Sequence, residues 1–157
     1  MANTYSQIYI HLIIVVKSRE NILSKSFKHD VYKYITGIIQ KRGHKLYTIN
    51  GMPDHVHIFV SFNPDDSLSE LMKEVKRCSS NYINENKFLK GHFSWQNGYA
   101  AFSYSKSQID KVVQYIDNQE LHHKKKTFRE EYVELLKKFE IMYDSKYLFD
   151  EVVYDKE

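Results

Sequence analysis

Two histidines separated by one residue form the sharpest chemical feature of the 157-residue sequence. His55-Val56-His57 lies in a run of apolar, largely β-branched residues, which predicts a β-strand. Because side chains alternate between the faces of a strand, both imidazoles project to one side, roughly 6.5 Å apart along the chain. Histidine is a common metal ligand, so the pair could bind one divalent ion. Two histidines on a strand face also occur without any ligand, and the spacing alone leaves both interpretations open.

A second candidate cluster lies on a predicted helix, where Tyr115 and Gln119 are four residues apart. Residues i and i+4 share a helix face, so both side chains can reach one point. Two imidazoles and the Gln119 amide oxygen would hold an ion that polarises a phosphate, and Tyr115 would attack the phosphorus. His122 lies on the same flank and is an alternative third ligand. A tyrosine beside an apolar stripe is also common as half-buried packing, and nothing in the sequence identifies a general base.

Hydrophobic periodicity places these residues in the order β-α-β-β-α-β-α, followed by a C-terminal helix. The predicted strands are residues 8–16, 46–49, 55–62 and 93–104, the last with an irregularity at Gly98. The predicted helices begin at Ser24 or Ser26, at Ser67, at Ser105 or Ser107 (to about His123) and at Phe128 (to Met142). The first six elements match an α+β fold of the ferredoxin-like or RRM-like plan, in which the helices lie on one face of an antiparallel sheet.

The composition is that of an ordinary globular protein. With 42% hydrophobic and 27% charged residues, 2 Pro and 5 Gly, it excludes collagen-like, low-complexity and wholly disordered classes. We expect one domain over residues 1–157, with a core of about 5–123 and a C-terminal helix and acidic tail of about 127–157. The single Cys78 excludes an internal disulfide. The longest apolar run is far shorter than the ~20 residues that span a bilayer, and no secretion signal is evident, so we expect a cytoplasmic protein without membrane contact.

Three sequence blocks together resemble the single-tyrosine HUH transposases, small prokaryotic insertion-sequence enzymes that act on single-stranded DNA. The blocks are residues 51–58 (GMPDHVHI), 95–103 (WQNGYAAFS) and 115–123 (YIDNQELHH). Residues 124–141 also resemble the ending of one branch, and the resemblance covers about residues 5–147. The chain departs from the family pattern in two places: Ala100 stands where many relatives carry the second glycine of Gly-Tyr-Gly, and Leu121 stands where an acidic residue is common.

The resemblance implies a metal-dependent transposase with a covalent intermediate. His55, His57 and Gln119 would bind Mg²⁺ or Mn²⁺. Tyr115 would attack the scissile phosphate, become joined to the DNA 5′ end and release a 3′ hydroxyl, so rejoining would need no nucleotide triphosphate. The resemblance also implies a homodimer, with active sites built within one subunit or shared between two. Its substrate would be single-stranded DNA with hairpins near the ends of the element.

The charge distribution agrees with a polyanionic partner. Residues 1–129 hold 19 basic and 11 acidic side chains, a net of +8, whereas residues 130–157 hold 4 and 9, a net of −5. Trp95, Tyr99 and Phe102 could stack on unpaired bases, although Trp95 and Phe102 could equally be core residues. The tail is expected to pack or to contact a second subunit. The basic residues that could contact phosphates are Lys73, Lys76, Arg77, Lys87, Lys90, Lys124, Lys125 and Lys126, of which the last three could also be a solvated helix end.

Two other functions remain compatible with the sequence. The first is a domesticated relative that binds structured single-stranded DNA or RNA without cutting it, since aromatic-bearing sheets of this fold are a known single-strand platform. The intact Tyr115 and Gln119 argue against it. The second is a phosphodiesterase in which His55 and His57 activate water, which would leave no covalent intermediate.

Overall fold

The computed structural model describes residues 3–17 and 22–149, within which the chain forms four strands and five α-helices. Their bounds are β1 (Tyr9–Val15), α1 (Lys28–Lys41), β2 (Lys45–Met52), β3 (His55–Ser61), α2 (Leu68–Glu85), β4 (Ala100–Tyr104), α3 (Ile109–Asp117), α4 (Gln119–Lys125) and α5 (Phe128–Lys138). The strands pair antiparallel in the order β2-β3-β1-β4. This order confirms the predicted α+β class and its ferredoxin-like βαββαβ plan.

Strand alternation divides the sheet into two different faces. On β3, Val56, Ile58 and Val60 are fully buried against α1 and α2 in the main core. His55, His57 and Phe59 project from the opposite face, which α3, α4 and α5 cover. The apolar face thus holds the strand in place while the other face presents its two imidazoles to the three C-terminal helices.

The fourth strand is shorter than the predicted 93–104, because the segment before it bonds to α2 and only in part to the end of β1, where the Gln96 amide donates to the Val15 carbonyl. Asn84 of α2 donates to the Phe93 carbonyl and accepts from the Phe93 amide, and the Trp95 indole N–H donates to the Ser79 hydroxyl. One isolated bridge, from Val16 to Trp95, is the strand pairing described for this segment. Gly98, with φ of +80°, then turns the chain into β4.

The predicted single helix from Ser105 to about His123 is wrong as one element. A short 3-10 turn (Lys106–Gln108) precedes α3, and the helix breaks at Asn118, whose φ of −97° and ψ of 25° leave the helical region. The C-terminal helix begins as expected, with the Thr127 hydroxyl accepting from the Glu130 amide. It ends at Lys138 rather than Met142, because Glu140 adopts a φ of +55° that no α-helix continues.

The described part of the acidic tail packs back on α5. Phe149 is buried, and its ring lies 5.6 Å from Phe128 and 5.5 Å from Tyr132, centroid to centroid. Arg129 also donates to the Ser145 carbonyl. Residues 150–157 of the expected tail lie outside the described residues. Within the described ranges, none of the helices has the length and apolar character needed to cross a membrane.

Candidate active site

Strand β3 delivers His55 and His57 side by side and fully buried, with ring centroids 5.0 Å apart. Each ring is held by its Nδ1 atom. His55 Nδ1 lies 2.7 Å from the Asp54 carboxylate, and His57 Nδ1 lies 2.7 Å from Nε2 of His11 on β1. A hydrogen bond at one ring nitrogen fixes the orientation of the other, so both Nε2 atoms face the helices that cover the sheet.

The backbone of β2 at Gly51 packs closely against the backbone of β3 at His55, and this contact positions the start of β3. Gly51 lies where β2 pairs with β3, and a Cβ atom there would come within 2.1 Å of the His55 carbonyl oxygen. Backbone cannot yield at that distance, so a residue without a side chain is required next to His55.

The break between α3 and α4 places Tyr115 and Gln119 over the histidines. Asn50 on β2 donates from Nδ2 to the carbonyls of Ile116 (3.0 Å) and Asp117 (3.2 Å), which ties the end of α3 to the sheet. Gln119 is fully buried, and its Oε1 lies 3.2 Å from His55 Nε2. Oε1 of Gln119 is an amide oxygen, and so an acceptor atom of the kind that can also bind a cation.

Helix α5 adds a carboxylate that the sequence reasoning missed. Glu131 is buried, with Oε1 2.9 Å from His57 Nε2 and Oε2 3.2 Å from His123 Nε2. His123 also lies 3.1 Å from Gln119 Oε1. A signal for Glu131 was present: it follows Phe128 by three residues and precedes Leu135 by four, which places an acidic residue on the buried face of an amphipathic helix.

Protonation states at this cluster suit metal binding. Burial lowers the pKa of His57 to about 4 and holds the pKa of His11 well below its usual value, so both rings are neutral at pH 7. Burial alone would raise the pKa of Glu131, but its contacts with His123 and His57 outweigh that effect and hold it well below the usual range. Neutral imidazole and ionised carboxylate are the forms that bind cations.

Two buried polar atoms of the cluster have no hydrogen-bond partner. His57 Nε2 and Glu131 Oε1 face each other at 2.9 Å but lie outside hydrogen-bond geometry. Ligand atoms of His55, His57 and Glu131 all fall within 4.8 Å of one another. Because buried polar atoms are rarely left unsatisfied, the donor set fits a divalent cation held between them.

Tyr115 lies at the edge of the same cluster, within the same chain. Its ring centroid is 6.0 Å from that of His57 and 4.7 Å from that of His122. It lines a cavity of about 300 Å³ with Glu131 and three lysines, Lys111, Lys126 and Lys138. Burial, followed by the negative charge of Glu131, raises the pKa of Tyr115 well above its usual value. The phenol is therefore protonated here and must lose its proton before it can act as a nucleophile.

The two candidates for a third ligand differ in position. Gln119 faces the histidine pair, whereas His122 faces the Tyr115 ring, and it is the next residue, His123, that contacts the cluster.

The residues predicted to contact DNA are divided between the two faces of the sheet. Lys73, Lys76 and Arg77 of α2 line a groove with Tyr99, on the face opposite Tyr115. Lys87 and Lys90 are exposed just beyond α2, and Lys125 is exposed at the end of α4. Lys126 lines the Tyr115 cavity and pairs with Glu134, while Lys124 lines a smaller pocket beside His123.

The two aromatic candidates differ in exposure. Tyr99 is 39% exposed, but Trp95 is 7% exposed and belongs to the core. Its indole N–H donates to Ser79, and although Trp95 also lines the groove beside Tyr99, its burial favours the core role over the stacking role that the sequence left open. Phe102 is only 2% exposed and is likewise buried in the core.

Comparisons with known proteins agree with one another. The family model described as IS200-like transposase matches residues 4–119. The ISDra2 transposase TnpA of Deinococcus radiodurans is 26% identical over 118 residues, which are 72% of this chain and 84% of that protein. A solved structure from Deinococcus radiodurans R1, described as a transposase, matches with a TM-score of 0.61 at 23% identity, over 76% of this chain and 95% of that one. A REP-associated tyrosine transposase bound to a REP hairpin matches with a TM-score of 0.60 at 17% identity, over 78% of this chain and 73% of that one.

Proposed function

The chain belongs to the IS200-like transposase family, and from this premise we propose that it cuts and rejoins single-stranded DNA through Tyr115. The observation that carries the proposal is the position of Tyr115: its ring lies 6.0 Å from that of His57, and the helical turn after it carries Gln119, which contacts His55. The nucleophile thus lies beside the buried donor set, close enough for both to act on one phosphate bound at the edge of the cluster.

The proposed reaction is a transesterification, in which each phosphate ester bond that breaks is replaced by a new one. The Tyr115 hydroxyl oxygen forms a bond to phosphorus, and the bond from phosphorus to the 3′ oxygen breaks, so that the 3′ oxygen leaves as a hydroxyl. We assign to His122, whose ring centroid lies 4.7 Å from that of Tyr115, the role of accepting the phenolic proton, while the departing 3′ oxygen takes up a proton from water; in the reverse step His122 returns its proton to the Tyr115 oxygen. Attack by a 3′ hydroxyl on the phosphotyrosine then reverses the step and rejoins DNA.

His55, His57 and Gln119 would hold the divalent ion, Mg²⁺ or Mn²⁺. Bound there, the ion would neutralise charge on the scissile phosphate and so ease attack by a phenol. Asp54 and His11 keep the two imidazoles in the orientation that presents Nε2.

DNA hairpins are the proposed substrates, in keeping with the REP hairpin bound by one structural relative. The groove of Lys73, Lys76, Arg77 and Tyr99 offers phosphate contacts and one exposed ring on the face away from Tyr115. Lys111, Lys126 and Lys138 supply positive charge around the cut phosphate itself. A hairpin stem and the strand to be cut would therefore occupy opposite faces of the sheet.

We propose a homodimer as the working form, as the resemblance implies. The Tyr115 ring lies 6.0 Å from the His57 ring of the same chain, which favours active sites built within one subunit over active sites shared between two.

The test is incubation of the protein with a labelled single-stranded hairpin and Mn²⁺, followed by a denaturing gel. A covalent adduct should form with wild type and with Tyr104→Phe, which alters another tyrosine of the same cavity. It should be absent from Tyr115→Phe and from His57→Ala. Salt-dependent binding without any adduct would instead support the non-cleaving function, and cleavage without an adduct would support water as nucleophile.

A further inference from the structure

We propose that Glu131 is a ligand of the metal ion, so that α5 is part of the metal site. This inference rests on the metal site of the proposed function and adds a fourth protein donor to His55, His57 and Gln119. Helix α5 begins nine residues beyond the last residue that the family model matches, 119 against 128. The family match therefore assigns this helix no role.

The first observation is the pair of facing atoms. His57 Nε2 and Glu131 Oε1 are buried, lack hydrogen-bond partners and lie 2.9 Å apart. A carboxylate that served only as a charge partner of His57 would accept a hydrogen bond from it at that distance. Because His57 Nε2 and Glu131 Oε1 lie close together without forming a hydrogen bond, we infer that both are ligands of one ion.

The second observation is that one polar atom of His55, of His57 and of Glu131 is already held by a neighbouring side chain. Asp54 holds His55 Nδ1, His11 holds His57 Nδ1, and His123 holds Glu131 Oε2. His55 Nε2, His57 Nε2 and Glu131 Oε1 are the atoms left to bind an ion, and ligand atoms of the three residues lie within 4.8 Å of one another. Ligands of metal sites are held in this way by an outer layer of partners.

The third observation concerns charge. Imidazole and amide ligands bring no negative charge to a cation, whereas Glu131 adds an acidic side chain to this buried donor set. A carboxylate oxygen is also the ligand type that Mg²⁺ and Mn²⁺ prefer, whereas imidazoles alone favour later transition metals. With Glu131 as a ligand, a site that contains two histidines would still prefer a hard divalent ion such as Mg²⁺ or Mn²⁺.

The test is isothermal titration of the full chain with Mn²⁺, comparing wild type, Glu131→Gln and Glu134→Gln. Gln preserves the size of the side chain and removes the charge. Glu134 is an exposed glutamate on the same helix that lines the Tyr115 cavity, so it is a matched control. We expect the affinity for Mn²⁺ to fall at least tenfold in Glu131→Gln and to change less than twofold in Glu134→Gln.

Equal affinity in wild type and Glu131→Gln would overturn the inference. If wild type binds no Mn²⁺, or His57→Ala binds it as tightly, the metal site of the proposed function fails as well, and the two failures are thereby distinguished. Should Glu131→Gln not fold by circular dichroism, Glu131→Asp replaces it. The shorter carboxylate keeps the charge beside His123 but withdraws from the ion, so weaker Mn²⁺ binding by a folded Glu131→Asp supports the inference and unchanged binding overturns it.

Discussion

Asn50→Ala should separate the positioning of Tyr115 from the stability of the fold. Asn50 donates two hydrogen bonds, to the carbonyls of Ile116 and Asp117, where α3 ends. At ~0.5–1.5 kcal/mol each, their loss should lower the free energy of unfolding by about 1–3 kcal/mol. For a chain of this length each kcal/mol corresponds to a fall in Tm of about 2–4 °C.

The effect on catalysis should exceed this loss of stability. Tyr115 lies one residue before the first of those carbonyls, and a shift of a reacting group by about 1 Å can cost on the order of 100-fold in rate. We therefore expect single-turnover adduct formation by folded Asn50→Ala to be at least tenfold slower than wild type.

Asn84→Ala is the matched control for this prediction. Asn84 also makes two hydrogen bonds to backbone, to the amide and carbonyl of Phe93, but on the opposite face of the sheet. Guanidinium unfolding should show similar stability losses for both variants, whereas adduct formation by Asn84→Ala should stay within twofold of wild type. Equal slowing by the two variants, or none by Asn50→Ala, would refute the idea that the Asn50 contacts position Tyr115.

Two further predictions concern stability and DNA binding. Hydrogen bonds from Arg42 hold the pKa of Asp66 well below its usual range, so the stability that Asp66 provides is present above pH ~4 and is lost as the pH falls below that. Asp66→Asn should lower the free energy of unfolding by about 2 kcal/mol at pH 7, and it should weaken the fall of that free energy as the pH drops below ~4. A free energy of unfolding that depends on pH as in wild type would contradict this. Lys73→Ala and Arg77→Ala should each reduce the slope of log affinity against log salt for a DNA hairpin by about one, measured by fluorescence anisotropy, whereas Lys33→Ala on α1 should leave it unchanged. A slope unaffected by all three would place the hairpin elsewhere.

Local periodicity was sufficient to predict the parts of the site that lie within one element. Strand alternation places His55 and His57 on one face, and this is where the structure has them. The βαββαβ order followed from the same kind of pattern. The helix break at Asn118 did not, because it depends on Asn50, which is distant in sequence and satisfies the carbonyls that the break exposes.

Contacts between distant elements account for what the sequence could not reveal. Glu131 reaches His57 only because α5 packs across the sheet through residues such as Phe128, and no local spacing relates the two. His11 on β1 contacts His57 on β3, and hydrophobic periodicity alone does not give the register that pairs these two strands. The sequence left Trp95 open between a core and a stacking role, because its hydrogen bond to Ser79 of α2 is also a long-range contact.

The most direct test of the central claim is to locate the DNA on the protein. The adduct formed with Mn²⁺ would be digested with nuclease and protease, and the modified peptide sequenced by mass spectrometry. We predict a nucleotide joined through its 5′ phosphate to the Tyr115 hydroxyl. A nucleotide on any other residue, or cleavage that leaves every tyrosine unmodified, would contradict the account.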